Sequence, residues 1–370
     1  MPPDRRPRIG LVLSGGGARG TFQVGVYERL SQDARFQGPM VLSGTSAGAI
    51  NAALIAAGKS PDEMMRFWED LADRLPVEAT QHLLNGIVFA LAGLTVTESL
   101  DWPRTLGAWR FFLARVVERF PPWPGRMVGM GIEYFLTERF DLVTKILEAV
   151  PTPSLVDTRR LRERLVAALG DPVRCQEHDL AISAVDAETG KVVRFVSRAT
   201  PSTGSSEYMV PSDGITVDMV LASASIPVLF PPAKVGERLF WDGGLLVNTP
   251  MAPVVALGAE EIVTVLVTEL EAKPAFDRLG AALERAVDSL LESSYDSDRK
   301  LLLERNRLAR SGVRDYKEVK LYKPIRPGDG ANLVLGSYLY FNKPAMLALR
   351  AAGRAAANRW LADPEPEDRL

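Results

Sequence analysis

A serine flanked by two glycines is the strongest chemical signal in this sequence. Ser46 is the central residue of Gly44-Thr45-Ser46-Ala47-Gly48, which follows the apolar pair Val41-Leu42 and precedes an alanine-rich segment, 49–57. A serine at a strand-to-helix turn, with glycine two places away on each side, is the pattern of a nucleophile elbow. The spacing also occurs in ordinary tight turns. In an elbow the hydroxyl lies at the helix N-terminus, where the helix dipole favours developing negative charge.

A glycine-rich segment precedes this serine, at the predicted junction of the first strand and the first helix. It consists of Gly15, Gly16, Gly17, Ala18, Arg19 and Gly20. A dinucleotide-binding loop has this glycine spacing, but it also needs an acidic residue after the second strand, where this sequence has Leu42-Ser43. A phosphate-binding P-loop needs a lysine before Thr21. Consecutive glycines also expose N–H groups that can bind an oxyanion. We favour the oxyanion use, with nucleotide binding and a purely structural turn as alternatives.

A catalytic serine needs a base to take its proton, and histidine is a poor candidate here. The sequence has two histidines, His82 and His178. In the α/β-hydrolase order the histidine comes last, after the nucleophile and the acid, and no histidine follows residue 178. We therefore expect both histidines to be structural and the base to be a carboxylate. Ser43 lacks the flanking glycines, so Ser46 is the preferred nucleophile.

Asp242 is the candidate carboxylate. It follows the strand-like run Leu239-Phe240-Trp241 and is followed by Gly243 and Gly244. An aspartate with two glycines at a strand end is often a plain turn. An aspartate close to a serine can instead accept its proton when partial desolvation tunes its pKa. The two glycines would let such a loop approach the serine closely.

These three segments, in this order, resemble the patatin-like phospholipase family. Ala222-Ser223 through Phe230-Pro231-Pro232, together with Asn248 and Pro250, are also similar to that family. The resemblance covers about Arg8 to Leu75 and Asp179 to Thr268.

The resemblance implies a role for each motif and a fold for the chain. Ser46 would be the nucleophile and Asp242 its partner in a dyad without histidine. The segment from Gly15 to Gly20 would be the oxyanion hole. The implied activity is acyl-ester hydrolysis on lipids, without metal, nucleotide or other cofactor. The implied fold class is α/β: a three-layer α/β/α sandwich with a mostly parallel sheet.

Strands and helices at regular intervals must position these groups. In the first seventy residues, apolar periodicity predicts alternating strands and helices, which indicates a parallel sheet covered by helices. A hairpin is predicted where the turn-rich 186–190 segment separates two strands. The other predicted strands are at 8–14 and 261–268. Helices are predicted at 21–30, at 217–223 and at 344–361, and another is predicted to start at Ser60-Pro61. A long helix is predicted at 276–310, with a break near Ser293.

The predicted organisation is a core interrupted by a helical cap. The core comprises 1–83 and 154–345, the insertion 84–153, and a C-terminal helix and polar tail 346–370. Within 101–126, five arginines accompany two acidic residues and three tryptophans, a composition that suits a membrane interface. A cap helix packed on its own domain would look the same. In both cases we expect the insertion to cover the serine and shape the acyl pocket.

Composition limits the other functions. With 46% hydrophobic and 24% charged residues and a formal net charge of −2, the chain is an ordinary globular protein without a basic field for nucleic acid. A single cysteine, Cys175, excludes an internal disulfide framework. We see no signal-peptide core and no membrane-spanning segment, and expect a cytoplasmic protein with peripheral membrane contact as a hypothesis. A non-catalytic lipid-binding protein on the same fold, or a dinucleotide-binding protein, is the alternative to a hydrolase.

Overall fold

The computed structural model describes residues 7–73, 154, 156–200, 207–268, 279–313, 316–328, 338 and 341–367. All of these except 154, 156 and 157 belong to one of the two units into which the chain divides, made of Met1–Val77 and Thr158–Leu370. The predicted insertion, 84–153, and the proposed membrane-contact segment within it, 101–126, lie outside the described residues. Both stay predictions, as do the remaining domain boundaries.

One mostly parallel sheet forms the centre of the described fold. Its strands are β1 (Ile9–Leu13), β2 (Val41–Gly44), β3 (Asp179–Asp186), β4 (Val192–Val196), β5 (Tyr208–Met209), β6 (Ala233–Val235), β7 (Arg238–Asp242), β8 (Glu261–Val265) and β9 (Lys320–Leu321). They are ordered β5-β4-β3-β2-β1-β8-β9, and β7 pairs with both β3 and β6. The pairs β3–β4, β3–β7 and β6–β7 are antiparallel. The pairs β3–β2, β2–β1, β1–β8 and β8–β9 are parallel.

Helices cover both faces of this sheet. They are α1 (Gly20–Leu30), α2 (Ala47–Ala56), α3 (Pro61–Asp73), α4 (Arg159–Leu169), α5 (Val217–Ser223), α6 (Ala252–Ala256), α7 (Leu279–Arg310) and α8 (Lys343–Ala362). Side chains alternate between the faces of a strand, and β1 does so here. Leu11 and Leu13 join the apolar cluster that contains residues of α1 to α5 and α8, whereas Val12 joins the cluster that contains residues of α6 and α7. The predicted three-layer α/β/α sandwich is therefore confirmed.

Most predicted elements are present, but one predicted break is wrong and several short elements were not predicted. The predicted break near Ser293 is wrong, because α7 continues from Leu279 to Arg310. Serine weakens a helix when its hydroxyl competes for backbone groups. Here the hydroxyl of Ser294 instead accepts the backbone N–H of Asn248, at 2.8 Å, outside the helix. The elements that no pattern predicted are strands β5, β6 and β9 and helices α4 and α6.

Helix α3 begins with a capping box. The Ser60 hydroxyl accepts the N–H of Glu63 at 3.3 Å, and the Glu63 carboxylate accepts the N–H of Ser60 at 2.9 Å. Two first-turn donors are satisfied in this way, which stabilises the helix end. Among the described residues, no helix combines the length and the apolar character needed to cross a membrane.

Candidate active site

The turn between β2 and α2 has the geometry predicted for an elbow. Ser46 has φ 55° and ψ −125°, which is rare for a residue with a side chain. A Cβ at Gly44 would lie 2.3 Å from the carbonyl of Gly48, and one at Gly48 would lie 2.1 Å from the Leu13 carbonyl oxygen. Both motif glycines are therefore required by close backbone contact, and the serine between them begins the helix α2.

Strand β3 brings the predicted serine and aspartate together. Along one edge of β3, β2 ends with Gly44 opposite Ile182, and β7, running the other way, ends with Asp242 opposite Ala184. The two strand ends therefore meet two residues apart on the same edge. As a result, the Ser46 hydroxyl is close enough to the Asp242 carboxyl to lower its pKa, although the two residues are almost 200 positions apart.

Asp242 is buried and has few donors. It is 5% exposed, and its Oδ1 accepts the backbone N–H of Gly244 at 2.7 Å. Gly243 and Gly244 begin the short 3-10 helix that follows. Burial raises the pKa of Asp242 to about 6, while the Gly244 N–H and the Ser46 hydroxyl act in the opposite direction. A carboxylate with this pKa is ionised at neutral pH and can still accept a proton readily.

Two further side chains hold the elbow in place. The N–H of Ser46 donates to Ser223 Oγ at 3.0 Å, and Ser223 Oγ donates to the carbonyl of Ser183, in β3, at 2.6 Å. Thr45 Oγ1 donates to the Val247 carbonyl at 2.8 Å, which connects the elbow to the segment after Asp242. The sequence analysis gave no role to Ser223. The only signal for it was the similarity of Ala222-Ser223 to the family segment.

Only part of the predicted oxyanion loop has free N–H groups. The N–H of Gly15 donates to the carbonyl of Asn248 at 3.2 Å, and the N–H of Arg19 donates to that of Gly16 at 3.1 Å. The N–H of Gly20 is also used, by the carbonyls of Ala18 and Gly17. Within the part of the chain that the structure describes, the N–H groups of Gly16, Gly17 and Ala18 have no acceptor. These three are therefore the candidate anion donors.

Arg19 is turned into the protein and paired there. Its side chain is fully buried and forms ion pairs with Glu284, at 2.9 Å, and Asp288, at 3.0 Å, both on α7. Its guanidinium also lies 3.7 Å from the ring centroid of Tyr338. Arg19 therefore fastens the glycine loop to α7, and its charge is balanced by the protein itself.

An apolar cavity opens beside Ser46. It has a volume of about 150 Å³, and both Ser46 and Gly17 contribute to its wall. Most of the remaining wall is apolar: Ile50, Leu71, Leu161, Ile226, Phe230 and Phe341. Trp68 also contributes, and its indole N–H is held by Asn51 Oδ1 at 2.9 Å. A hydrophobic group attached to a carbonyl could be bound there while the carbonyl carbon lies near the Ser46 hydroxyl.

The alternatives to Ser46 and Asp242 do not fit as well. The Nδ1 of His178 accepts the N–H of Met40 at 3.1 Å, next to the first residue of β3 and at the opposite end of this strand from Ala184. Burial lowers the pKa of His178, so it is neutral and structural, as predicted. His82 lies outside the described residues. Ser43 is fully buried within β2.

Comparison with known proteins gives one family match and several distant structures. A family model for patatin-like phospholipases matches residues 11–255. VipD from Legionella pneumophila is 14% identical, with a TM-score of 0.36, over 94% of this chain and 67% of that one. The type III effector protein ExoU is 15% identical, with a TM-score of 0.35, over 98% of this chain and 55% of that one. The chain thus spans only part of the length of these structures. No curated protein sequence matches it.

Proposed function

Because the chain belongs to the patatin-like phospholipase family, we propose that it is a serine esterase of the phospholipase A type. It would cleave carboxylic esters of lipids through a dyad of Ser46 and Asp242. The observation that carries the proposal is the convergence of Ser46 and a buried Asp242 at neighbouring strand ends on β3, beside an apolar cavity. A lipid-binding protein without activity would have no need for this pair.

In the proposed acylation step, Asp242 accepts the proton of Ser46 while Oγ attacks the ester carbonyl carbon. The carbonyl oxygen becomes an oxyanion, and the N–H groups of Gly16, Gly17 and Ala18 are the donors proposed to stabilise it. The tetrahedral intermediate then collapses, its bond to the alcohol oxygen breaks, and the alcohol leaves with the proton from Asp242. An acyl-enzyme on Ser46 is the product of this step.

In the second step, water takes the place of the alcohol. Asp242 accepts a proton from water as the water oxygen attacks the acyl carbonyl carbon. The second tetrahedral intermediate releases the fatty acid, and Ser46 Oγ regains the proton from Asp242. A single carboxylate with a pKa of about 6 can serve both steps, because it can take up and release a proton near neutral pH.

The apolar cavity supports an acyl chain as the group bound next to the carbonyl. Removing hydrocarbon from water contributes about 0.8 kcal/mol for each methylene group. Ile50, Leu71 and Phe341 form a wall without charged side chains. This supports a fatty acyl ester as the substrate class rather than a small polar ester.

Loss of the nucleophile tests the proposal. Ser46→Ala should lose turnover of a soluble nitrophenyl butyrate by roughly 10³-fold or more, since no other group can form the acyl-enzyme. It should also lose covalent labelling by a fluorophosphonate probe. Ser43→Ala, three residues away, is the matched control and should retain both. Native turnover by Ser46→Ala would refute the assignment, and a wild-type protein that is neither labelled nor active would favour the non-catalytic lipid-binding alternative.

A panel of lipid classes would then identify the substrate. Released fatty acid is measured by mass spectrometry for phospholipids, lysophospholipids and neutral glycerides, with the Ser46→Ala protein as the blank. We expect acyl-ester lipids to be hydrolysed in a Ser46-dependent manner.

A further inference from the structure

Three large apolar side chains are exposed on two segments near the proposed catalytic pair, 225–232 and 243–251. Val228 is 67% exposed, Leu245 is 53% exposed and Leu246 is 52% exposed. Exposed apolar side chains that occur singly are normal, but contiguous ones mark binding surfaces. We call Val228, Leu245 and Leu246 the apolar rim.

The two segments of the apolar rim lie side by side at the active site. The N–H of Asp242 donates to the carbonyl of Ser225 at 2.8 Å, which joins the start of one segment to the start of the other. Ile226 and Leu229, on either side of the Pro227-Val228 pair, line the apolar cavity. Val228 therefore lies between two residues of the cavity wall, and Leu245 and Leu246 follow Asp242 by three and four residues.

The backbone at Val228 is strained. Its φ is 69°, in the left-handed region that a β-branched residue rarely adopts. Besides Ser46, it is the only non-glycine residue with positive φ in the described part of the chain. The turn around it is closed by the Phe230 N–H, which donates to the Ile226 carbonyl at 2.8 Å. Glycine or asparagine would fit this turn without strain. The strained residue instead presents an apolar side chain to water, and such outliers concentrate at functional sites.

The apolar rim differs from another exposed leucine, Leu301, in the charged residues that lie nearby along the chain. Leu301 on α7 is 70% exposed, but Lys300 adjoins it and Glu304 lies one turn away, as on an ordinary solvated helix. In contrast, neither 225–232 nor 243–251 contains an ionisable residue. A surface without charges does not fit a nucleic acid or an acidic peptide. It fits the boundary between the head groups and acyl chains of a lipid aggregate, where short apolar side chains are buried.

We propose that the apolar rim inserts into the surface of a lipid bilayer and places the cavity over the acyl ester to be cleaved. This rests on the proposed function, because the lipid surface is taken to supply the substrate. No charged group contributes to the insertion, so an uncharged phosphatidylcholine surface suffices. The apolar rim therefore determines whether the enzyme acts on lipid in aggregates, in addition to esters in solution.

Binding is measured in the Ser46→Ala background, so that the vesicles are not consumed. The triple change Val228→Asn, Leu245→Gln and Leu246→Gln replaces the apolar rim by polar side chains of similar size. We expect co-sedimentation with phosphatidylcholine vesicles to weaken at least tenfold. Leu301→Gln, an equally exposed leucine on α7, is the matched control and should bind as its parent does.

Turnover gives a second measurement, in proteins that retain Ser46. The ratio of turnover on phosphatidylcholine vesicles to turnover on nitrophenyl butyrate should fall at least tenfold in the triple variant. Turnover of the soluble ester reports that the variant is folded. Thermal unfolding gives a further check, because Val228→Asn alone relieves the strained backbone and should not lower Tm.

Several results would overturn the proposal: a parent protein that does not bind phosphatidylcholine, a triple variant that binds as tightly as its parent, or an equal loss in Leu301→Gln. Binding that requires phosphatidylglycerol would also overturn it and would favour a basic contact, such as the one predicted within 101–126. If the proteins that retain Ser46 do not hydrolyse the soluble ester, the proposed function fails. Vesicle binding in the Ser46→Ala background still tests the apolar rim in that case.

Discussion

Strand β7 connects two buried aspartates that have opposite properties. Asp186 in β3 lies opposite Phe240, and Asp242 at the end of β7 lies opposite Ala184. Both are nearly inaccessible, with exposures of 3% and 5%. Asp186 accepts hydrogen bonds from two backbone N–H groups, from the Thr189 hydroxyl and from the Arg238 guanidinium. Asp242 accepts a bond from the Gly244 N–H, and the nearby Ser46 hydroxyl also lowers its pKa.

The two pKa values differ because of these partners. Burial would raise the pKa of Asp186, but the bonds from Thr189 and Arg238 outweigh it and the pKa is lowered. Burial dominates at Asp242 and raises its pKa to about 6. Burial alone therefore does not make a carboxylate a base. An arginine and a turn keep Asp186 ionised, and this anion stabilises the β3–β4 connection. No cation in the described part of the chain acts on Asp242, which leaves it able to exchange a proton.

Replacing each aspartate by asparagine should separate the two roles most clearly. Asp242→Asn should lower kcat/KM on a soluble ester by roughly 10³-fold or more, because the amide cannot accept the Ser46 proton. Asp186→Asn should change it by only a few fold. Circular dichroism checks that both variants are folded. Comparable losses in the two variants would mean that Asp242 is not the base.

The variants Asp242→Asn and Asp186→Asn should change the free energy of unfolding at pH 8 in opposite directions. The pKa of Asp242 is about 6 in the folded protein against an ordinary 3.8, so the folded state holds a proton that the unfolded state has lost. Stability therefore falls as the pH rises from 4 to 6, by up to about 3 kcal/mol. Asp242→Asn should remove this loss, raising the free energy of unfolding at pH 8 but not at pH 3.5.

Asp186 provides the contrast in the same denaturation experiments. Its folded pKa is lowered, so its ionised form contributes stability above the unfolded pKa, and this contribution is lost as the pH falls through the folded value. Asp186→Asn should therefore destabilise the protein at pH 8. If Asp242→Asn is also destabilised at pH 8, the charge of Asp242 is compensated in a way that its contacts do not reveal.

The pH dependence of activity is the smallest of the three effects. Since Asp242 must be ionised to accept a proton and its pKa is about 6, kcat/KM should rise with pH to a plateau above 7. A decrease of about tenfold is expected between pH 7 and pH 5. The profile of Asp186→Asn should have the same midpoint. A flat profile between pH 5 and pH 7 would place the proton on another group.

The sequence singled out Ser46 and Asp242 as candidates, but it does not show how the environment of Asp242 differs from that of Asp186. Each follows a strand and precedes a turn with glycine. Part of the difference is local, from the bonds of Thr189, and part lies in Arg238, which is 52 residues from Asp186 along the chain. Hydrophobic periodicity locates strands and helices because it is a local property. It does not predict which charged side chains meet when distant strands pair.

The glycine loop gives a second example. Glycine spacing predicted exposed N–H groups in 15–20, and three of the six are free of acceptors among the described residues. The other three are used within the protein, partly by the Asn248 carbonyl. The burial of Arg19 against Glu284 and Asp288 was not predicted, because these partners are 265 and 269 residues away. Ser223 was missed for the same reason.

The contact between Gly17 and Tyr338 has a consequence for synthesis of the protein. A Cβ at Gly17 would lie 2.0 Å from the Tyr338 carbonyl oxygen, so a late part of the chain closes over one of the earliest. Ribosomes add about 5–20 residues per second, so roughly 15 to 60 s separate the appearance of Ser46 from that of Tyr338. During this interval the nascent polypeptide contains Ser46 but not Tyr338, which forms part of the wall of the same pocket. The pocket beside Ser46 is therefore complete only near the end of translation.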